Sequence, residues 1–264
     1  AVGILKYNTS TGQVKIFNHN SINSTWDLIG TINGDNSASN PRSVSRDFGA
    51  DVRLSKDGKT LAIGDRWYDA SKTKIGRVVV YRNQSGTWNI LGSNTKIEGD
   101  ATNDNLGWSL DISSNGNIIA VGAFENDSNG SNVGQVKIFE YNGATDSWDN
   151  KGIIYPPNPY SGEKFGSSLD LNSSGLILAV GSPYDEPGGK IWEGSVNVFK
   201  WTSGTTWTQL GTEIKDVVND GTNTFNFLGA YVSLNNPGNI LGVLSPGFGD
   251  TNDDTKSQGL LRLY

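Results

Sequence analysis

Aromatic and acidic side chains recur together in several Gly-, Ser- and Asn-rich stretches, each of which follows a short apolar run. Aromatic rings can stack on sugar faces, and nearby carboxylates can bind hydroxyls or a cation, so the pattern is typical of a repeated ligand contact. The alternative is that the aromatic residues fill gaps between structural units while the acids cap turns. The candidate ligand- or partner-binding residues are Trp67, Tyr68, Asp69, Phe124, Glu125, Asp127, Tyr184, Asp185, Glu186, Trp192, Phe248 and Asp250.

Residue types that support catalysis are scarce. The chain has no Cys and a single His, His19, so Cys/His chemistry is excluded and a Ser-His-Asp triad would depend on that one residue. The adjacent acids Asp185 and Glu186 keep a glycoside hydrolase as an alternative, although adjacent residues tend to point apart. We therefore predict no enzyme activity, no catalytic residues and no metal site.

The elements that would position these residues come from an internal repeat. Four segments align, and their glycines are spaced by 58, 59 and 63 residues: 48–55, 106–113, 165–172 and 228–235. Each segment alternates apolar and polar residues as a strand does, and a turn glycine follows it. A small apolar strand comes next, as in Leu61–Gly64, and its small residues are predicted to crowd near an axis.

Two further strands complete each unit. The third follows a glycine, as in Val78–Tyr81, and the fourth carries a Trp: Trp26, Trp88, Trp148 or Trp207. Four antiparallel strands in up-and-down order form one blade of a β-propeller, and the Trp residues are expected to pack each blade against its neighbour. A two-sheet sandwich is the alternative fold.

The predicted fold is all-β: a single propeller domain over 1–264 with about five four-stranded blades, the first and last incomplete. The repeats span approximately 1–47, 48–105, 106–164, 165–227 and 228–264. Either the chain is a segment of a longer repeat array or neighbouring chains supply the missing edge strands. The long loops between strands two and three, and between blades, share one face, which is the predicted binding face.

The Phe-Gly opening, the Ser-x-Asp-Gly turn, the Leu-Ala-Ile-Gly strand and the Thr-Trp…Leu-Gly end resemble FG-GAP-like propeller repeats. This resemblance implies a propeller in an extracellular protein of the algal, protist or marine bacterial type. Integrin-type members bind Ca²⁺ in an Asp-x-Asp-x-Asp-Gly loop. The corresponding turns here, such as Lys56–Gly58, are short and poor in carboxylates, so no cofactor is predicted.

Composition bears on location and partners. The net charge is −6 among 264 residues, which disfavours nucleic acid, and no run of apolar residues could cross a membrane. The predicted location is extracellular or at the cell surface. The sequence offers these N-x-Ser/Thr glycosylation candidates: Asn8, Asn23, Asn83, Asn126, Asn129 and Asn172.

Two functions follow from this reading. The first is a non-enzymatic structural propeller in a surface assembly or filament, whose partners are other protein subunits, including copies of itself. The second is a lectin-like propeller that binds carbohydrate or another ligand through the aromatic–acid loops.

Overall fold

The computed structural model describes residues 1–5, 11–34, 47–70, 73–186, 192–215, 226–247 and 259–264. Every regular element in those ranges is a β-strand, and the strands form five antiparallel sheets in chain order. In the part of the chain that is described, no helix is long and apolar enough to cross a membrane. The all-β, propeller-type prediction is confirmed.

Each sheet is a meander of consecutive strands. The first contains β1 (Val2–Ile4), β2 (Gln13–Asn20) and β3 (Thr25–Asn33). The second contains β4 (Phe48–Leu54), β5 (Thr60–Asp65), β6 (Arg77–Gln84), β7 (Thr87–Ile90) and the short β8 (Ile97–Glu98), which pairs with β6.

The other three sheets repeat this order. The third contains β9 (Leu110–Ile112), β10 (Ile118–Ala123), β11 (Gln135–Asn142) and β12 (Ser147–Ile154). The fourth contains β13 (Ser168–Leu171), β14 (Ile177–Ser182), β15 (Ser195–Ser203), β16 (Thr206–Gln209) and the short β17 (Ile214–Lys215). The fifth contains β18 (Tyr231–Leu234), β19 (Leu241–Ser245) and β20 (Leu260–Leu263).

The turn between the first two strands of a blade is closed by a side chain. In the second sheet, Asp57 Oδ1 accepts a hydrogen bond from the backbone N–H of Lys59 at 3.0 Å, and Gly58 takes the left-handed conformation with φ 67°. In the third sheet, Asn115 Oδ1 accepts one from the backbone N–H of Asn117 at 3.0 Å. These are the Asp-Gly and Asn-Gly turns that the sequence predicts.

Neighbouring sheets meet at pairs of glycines. A Cβ added to Gly122 would lie 2.2 Å from the carbonyl oxygen of Gly166 in the next sheet. The same contact occurs from Gly3 to Gly49, from Gly64 to Gly107 and from Gly181 to Gly229. The second strands are therefore small because the next sheet approaches them. The first strands of successive sheets also contact each other: β4 with β9, β9 with β13 and β13 with β18.

The Trp of each later fourth strand packs on the preceding sheet, as predicted. Trp148 is 3% exposed, lies over Gly92, and its Nε1 donates to the carbonyl of Leu91 at 3.0 Å. Trp207 donates in the same way to the carbonyl of Lys151 at 3.1 Å. Each ring closes the outer part of a blade interface, while the buried apolar residues of the inner strands form the core.

The first and fifth sheets each leave an apolar face exposed. Trp26 and Val2 of the first sheet are 69% and 53% exposed, and Leu261 and Leu263 of the fifth are 66% and 74% exposed. No extensive contact joins the described strands of the first sheet to those of the fifth.

Candidate functional site

A cavity of about 780 Å³ opens at the long-loop end of the sheets, within the size range typical of small-molecule sites. Its walls come from the second to the fifth sheets, partly from loops between strands two and three and partly from residues that flank the first strands. We call it the axial cavity. Its lining residues are Trp67, Lys74, Asn105, Trp108, Phe124, Glu125, Lys164, Ser167, Pro183, Tyr184, Phe227, Ala230, Tyr231 and Pro246.

Four lining residues other than glycine have a left-handed backbone. Their φ angles are 49° at Lys74, 52° at Asn105, 57° at Lys164 and 53° at Phe227. The loops hold this geometry through backbone hydrogen bonds across the blade boundary, such as that from Asn105 N–H to the carbonyl of Lys74 at 3.1 Å. Left-handed backbone costs a non-glycine residue about 1 kcal/mol or more, and such strain concentrates at functional sites.

The polar side of the cavity centres on Glu125. Its Oε2 accepts a hydrogen bond from Asn105 Nδ2 at 2.7 Å, and its Oε1 lies 3.5 Å from Lys164 Nζ. Asn105 is 4% exposed, and its Oδ1 has no hydrogen-bond partner. Because an unpaired buried amide oxygen is costly, Asn105 Oδ1 would be stabilised by any donor that reaches it.

The apolar side is a ring of aromatic side chains. Trp108 packs on Phe124 with ring centroids 4.3 Å apart, and Tyr184 meets Phe227 edge-on at 5.6 Å. The Arg66 guanidinium lies 4.9 Å from the centroid of the Trp67 ring and 4.5 Å from that of Trp108. These rings give the cavity rigid walls suited to a flat or ring-shaped ligand.

Part of the predicted binding face is brought together here. Trp67, Phe124, Glu125 and Tyr184 all line the axial cavity. They come from three different blades. The repeated fold therefore brings together side chains that are far apart in the sequence. Trp192 lies beside them, with its ring 5.8 Å from Tyr184.

Three of the predicted binding residues are buried: Phe124 in the cavity wall, which is 7% exposed, and Tyr68 and Asp185. Tyr68 is 6% exposed and lies under the Arg77 guanidinium, 3.8 Å from its ring centroid. Asp185 is also 6% exposed, and burial raises its pKa. Burial likewise raises the pKa of neighbouring Glu163 to about 8. Aromatic and acidic side chains at these positions fill the space between blades.

The remaining described acids stabilise loops. Asp69 Oδ1 accepts the backbone N–H of Lys74 at 2.7 Å, and Asp127 Oδ1 accepts that of Asn132 at 2.7 Å. Glu186 Oε2 accepts the hydroxyl of Tyr160 at 2.7 Å. The turn-capping alternative therefore describes these residues. The other predicted residues, Phe248 and Asp250, lie outside the described residues.

The glycosylation candidates divide by exposure. Asn23 and Asn129 are exposed, Asn83 is half-buried, and Asn8 lies outside the described residues. Asn126 is 0% exposed, so the folded chain has no room for a glycan on it. Asn172 is buried as well, and its Oδ1 accepts the backbone N–H of Ile177 at 3.0 Å. Asn126 and Asn172 are therefore part of the folded core and not accessible glycosylation sites.

Sequence reasoning missed most of the polar cavity wall. Asn105 and Lys164 immediately precede the repeated Leu-Gly or Phe-Gly pair, and Trp108 immediately follows it. The signal was present, because these flanking positions differ from repeat to repeat while the pair itself is nearly constant. Variable side chains on a constant framework are where a repeat protein places specificity.

A row of acids lies further along the first strands. Asp51 Oδ2 accepts the backbone N–H of Leu110 at 3.0 Å, and Asp111 Oδ2 accepts that of Leu171 at 2.7 Å. Burial, followed by the negative charge of Asp170, raises the pKa of Asp111 to about 7. These carboxylates join neighbouring blades. No cluster of three potential metal-ligating side chains occurs in the part of the chain that the structure describes.

Comparison with known proteins identifies the fold alone. No family model matches the sequence, and no curated protein matches it. A crystal structure from Bacteroides fragilis, of a protein proposed to be a 6-phosphogluconolactonase, matches with a TM-score of 0.50 at 12% identity. The match covers 98% of this chain and 72% of that one.

The periplasmic gluconolactonase PpgL of Pseudomonas aeruginosa also matches, at a TM-score of 0.44 and 14% identity. That match covers 99% of this chain and 80% of that one. The similarity to the Bacteroides structure agrees with a propeller-type arrangement of the five sheets. At this level of identity it carries no activity across, because one fold hosts many functions.

Proposed function

We propose that the chain is a non-enzymatic extracellular binding propeller that takes a carbohydrate ligand in the axial cavity. The observation that carries the proposal is the combination of aromatic walls with an unpaired, buried acceptor on Asn105. A saccharide presents both apolar ring faces and hydroxyl donors, so it satisfies both parts of this wall.

The lining residues favour binding over hydrolysis. Glycoside hydrolysis needs two carboxyl groups facing one bond, whereas Glu125 is the only carboxylate among the described lining residues. Its Oε2 is already held by Asn105, which fixes it as an orienting group. The ligand ring would pack against Trp108 and Trp67, which are 37% and 36% exposed and so have surface left to bury.

A glycan array followed by calorimetry tests the proposal. The protein is screened with and without Ca²⁺, and the best oligosaccharide is then titrated into wild type and Trp108→Ala. We expect Trp108→Ala to weaken binding by at least about tenfold, because the contact buries a large part of an indole.

Trp26→Ala is the matched control. It removes an exposed indole from the first sheet, which contributes nothing to the cavity, and it should leave affinity unchanged. An array without signal above background, or equal weakening by the two substitutions, would contradict saccharide binding in the axial cavity.

A second candidate function is a structural subunit, and a specific observation favours it. Each complete blade interface is filled by a Trp strand and by a Phe-Gly or Leu-Gly strand of the following blade. At Gly211, the counterpart of Gly92, no described atom lies within 4 Å of an added Cβ. At Gly242, the counterpart of the fully buried Ala120, the nearest described atom to an added Cβ is Ser233 O at 3.7 Å.

The exposed face of the fifth sheet thus has room for the strands that fill the interior interfaces. In this candidate function, a neighbouring chain of a surface assembly supplies a Trp-bearing strand and a Phe-Gly or Leu-Gly strand. These strands pair with the free edge of the fifth sheet and cover Leu261 and Leu263. Such a contact joins unlike surfaces and extends into a filament.

A peptide with the sequence of residues 204–235 contains both strands in the right order and serves as the probe. We expect it to bind and to raise the melting temperature, because binding to the native state alone stabilises it. The same peptide with Trp207→Ala should bind more weakly. Equal effects of the two peptides, or none, would exclude this mode of assembly.

A further inference from the structure

The charges around the axial cavity differ in sign from the chain as a whole. The chain has a net charge of −6, yet the described lining residues include two lysines, Lys74 and Lys164, against the single carboxylate of Glu125. The wall therefore carries a net charge of +1 (two positive minus one negative). A local positive site in an acidic protein does not follow from composition, so it indicates what the site binds.

The Lys164 ammonium is available to a ligand. Its only ion pair among the described residues is with Glu125, at 3.5 Å, which is the outer limit of a hydrogen bond. Glu125 is positioned independently by Asn105 at 2.7 Å. An ammonium group has three donors, so Lys164 keeps donors for an incoming anion.

The position of Lys164 is fixed by its surroundings. Its backbone is left-handed, and its Nζ lies 5.1 Å from the ring centroid of Phe124 and 5.0 Å from that of Tyr184. Lys74 holds a similar place at the opposite part of the wall, with its Nζ 5.7 Å from the centroid of Trp67. No carboxylate of the described residues forms an ion pair with Lys74.

These contacts argue against a cationic ligand. A ligand cation would be repelled by the cations that already lie against these rings. Here Arg66 lies against Trp67 and Trp108, and Lys164 lies against Phe124 and Tyr184. Arg66 is closely paired with Asp47, whereas the ion pair of Lys164 with Glu125 is long, at 3.5 Å, and leaves ammonium donors for an anion.

We infer that the ligand of the axial cavity is an acidic saccharide whose anionic group is bound by Lys164, with a neighbouring hydroxyl donating to Asn105 Oδ1. This inference rests on the carbohydrate-binding function proposed above. Charge-assisted hydrogen bonds to the ammonium select the acid, and the aromatic walls hold the sugar ring.

Paired ligands that differ only in charge test the inference. Short oligogalacturonates and their methyl esters are titrated into the protein by calorimetry, and sulfated carrageenan oligosaccharides and their desulfated forms provide a second pair. The acidic member of at least one pair should bind about tenfold more tightly than its neutral partner, and added salt should reduce that difference. The pair that discriminates identifies the anion as carboxylate or sulfate.

Lys164→Gln removes the proposed contact, and Lys56→Gln is the control. Lys56 is exposed at a turn on the opposite end of the sheets, so both variants lose one positive charge. Lys164→Gln should abolish the preference for the acidic ligand while leaving the neutral one unchanged, and Lys56→Gln should affect neither.

The outcomes separate this inference from the proposed function. Equal affinity for the acidic and neutral members of both pairs, or a preference that survives in Lys164→Gln, overturns the acidic-ligand inference and leaves carbohydrate binding standing. No binding of these probes, together with an empty glycan array, overturns both.

Discussion

Replacing one glycine at a blade interface should separate packing from strand propensity. Gly122 and Gly242 lie in the second strands of different blades, two positions apart in the repeat and so on the same strand face, and neither has a positive φ. A Cβ on Gly122 would lie 2.2 Å from the carbonyl oxygen of Gly166, whereas one on Gly242 finds no described atom closer than 3.7 Å. Alanine therefore meets the next sheet at one site and open space at the other.

The two substitutions should have opposite signs. Ordinary contact begins at 3.4 Å, so in Gly122→Ala the neighbouring backbone must retreat by roughly 1 Å in a close-packed interface. Overpacking of this kind costs typically 1–3 kcal/mol, and a backbone obstacle places Gly122→Ala at about 3 kcal/mol. Gly242→Ala should gain up to about 0.5–1 kcal/mol, because glycine is unfavourable in a strand.

Urea unfolding followed by tryptophan fluorescence measures both free energies. For a chain of this size, 3 kcal/mol corresponds to a fall of roughly 6–12 °C in melting temperature. Gly64→Ala and Gly181→Ala, which meet carbonyls at 2.3 and 2.0 Å, should behave like Gly122→Ala. If Gly122→Ala were as stable as Gly242→Ala, the description of the blade interface would be refuted.

Two further substitutions test other parts of the interfaces. Trp148→Ala should destabilise the protein by about 3–5 kcal/mol in urea unfolding, because it removes a buried ring and leaves the carbonyl of Leu91 unpaired. Replacing the exposed Trp26 with Ala should cost under about 0.5 kcal/mol. Similar costs for the two variants would contradict the packing role of Trp148. Burial and the charge of Asp170 raise the pKa of Asp111 to about 7. The native state therefore keeps a proton that the unfolded chain releases near pH 4. As a result, the contribution of Asp111 to stability falls as pH rises from about 4 to 7. Asp111→Asn should therefore raise the melting temperature at pH 8 and not at pH 4, and a gain independent of pH would show that Asp111 is charged throughout.

The repeat made most of the fold predictable. The Gly-x-Val-x-Val strand, the Trp strand and the Asp-Gly or Asn-Gly turn each have a local cause, and their recurrence fixes the blade. No local sequence pattern predicts how far each strand lies from the axis. Leu61–Gly64 was expected at the axis because its residues are small, but Gly64 is small because Gly107 of the next sheet approaches it. A contact between residues 43 positions apart leaves no trace in the strand itself.

The candidate site was less predictable, for a related reason. Neighbouring loop residues were grouped because they share a composition, yet Trp67 lines the cavity while Tyr68 lies in the core. The two residues lie in the turn after β5, which is closed by the hydrogen bond from Tyr68 N–H to the carbonyl of Asp65 at 3.1 Å. Asn105 and Lys164 escaped notice because they flank the repeated pair without belonging to it, and their left-handed backbone is not visible in the sequence.

The repeat also explains how one chain can hold a specific site at low sequence similarity to known propellers. Conserving the Phe-Gly or Leu-Gly pair preserves the blade interface, because Phe165 is fully buried and Gly166 admits the neighbouring strand. The residues on either side of the pair face the cavity and carry little of the core. Lys164 and Ser167 can therefore change without loss of the fold, and three of the blade boundaries contribute such a pair of side chains to the described cavity wall. The chemistry of the cavity follows from the combination of these pairs, so under the proposed function ligand specificity would depend on residues that contribute little to the fold.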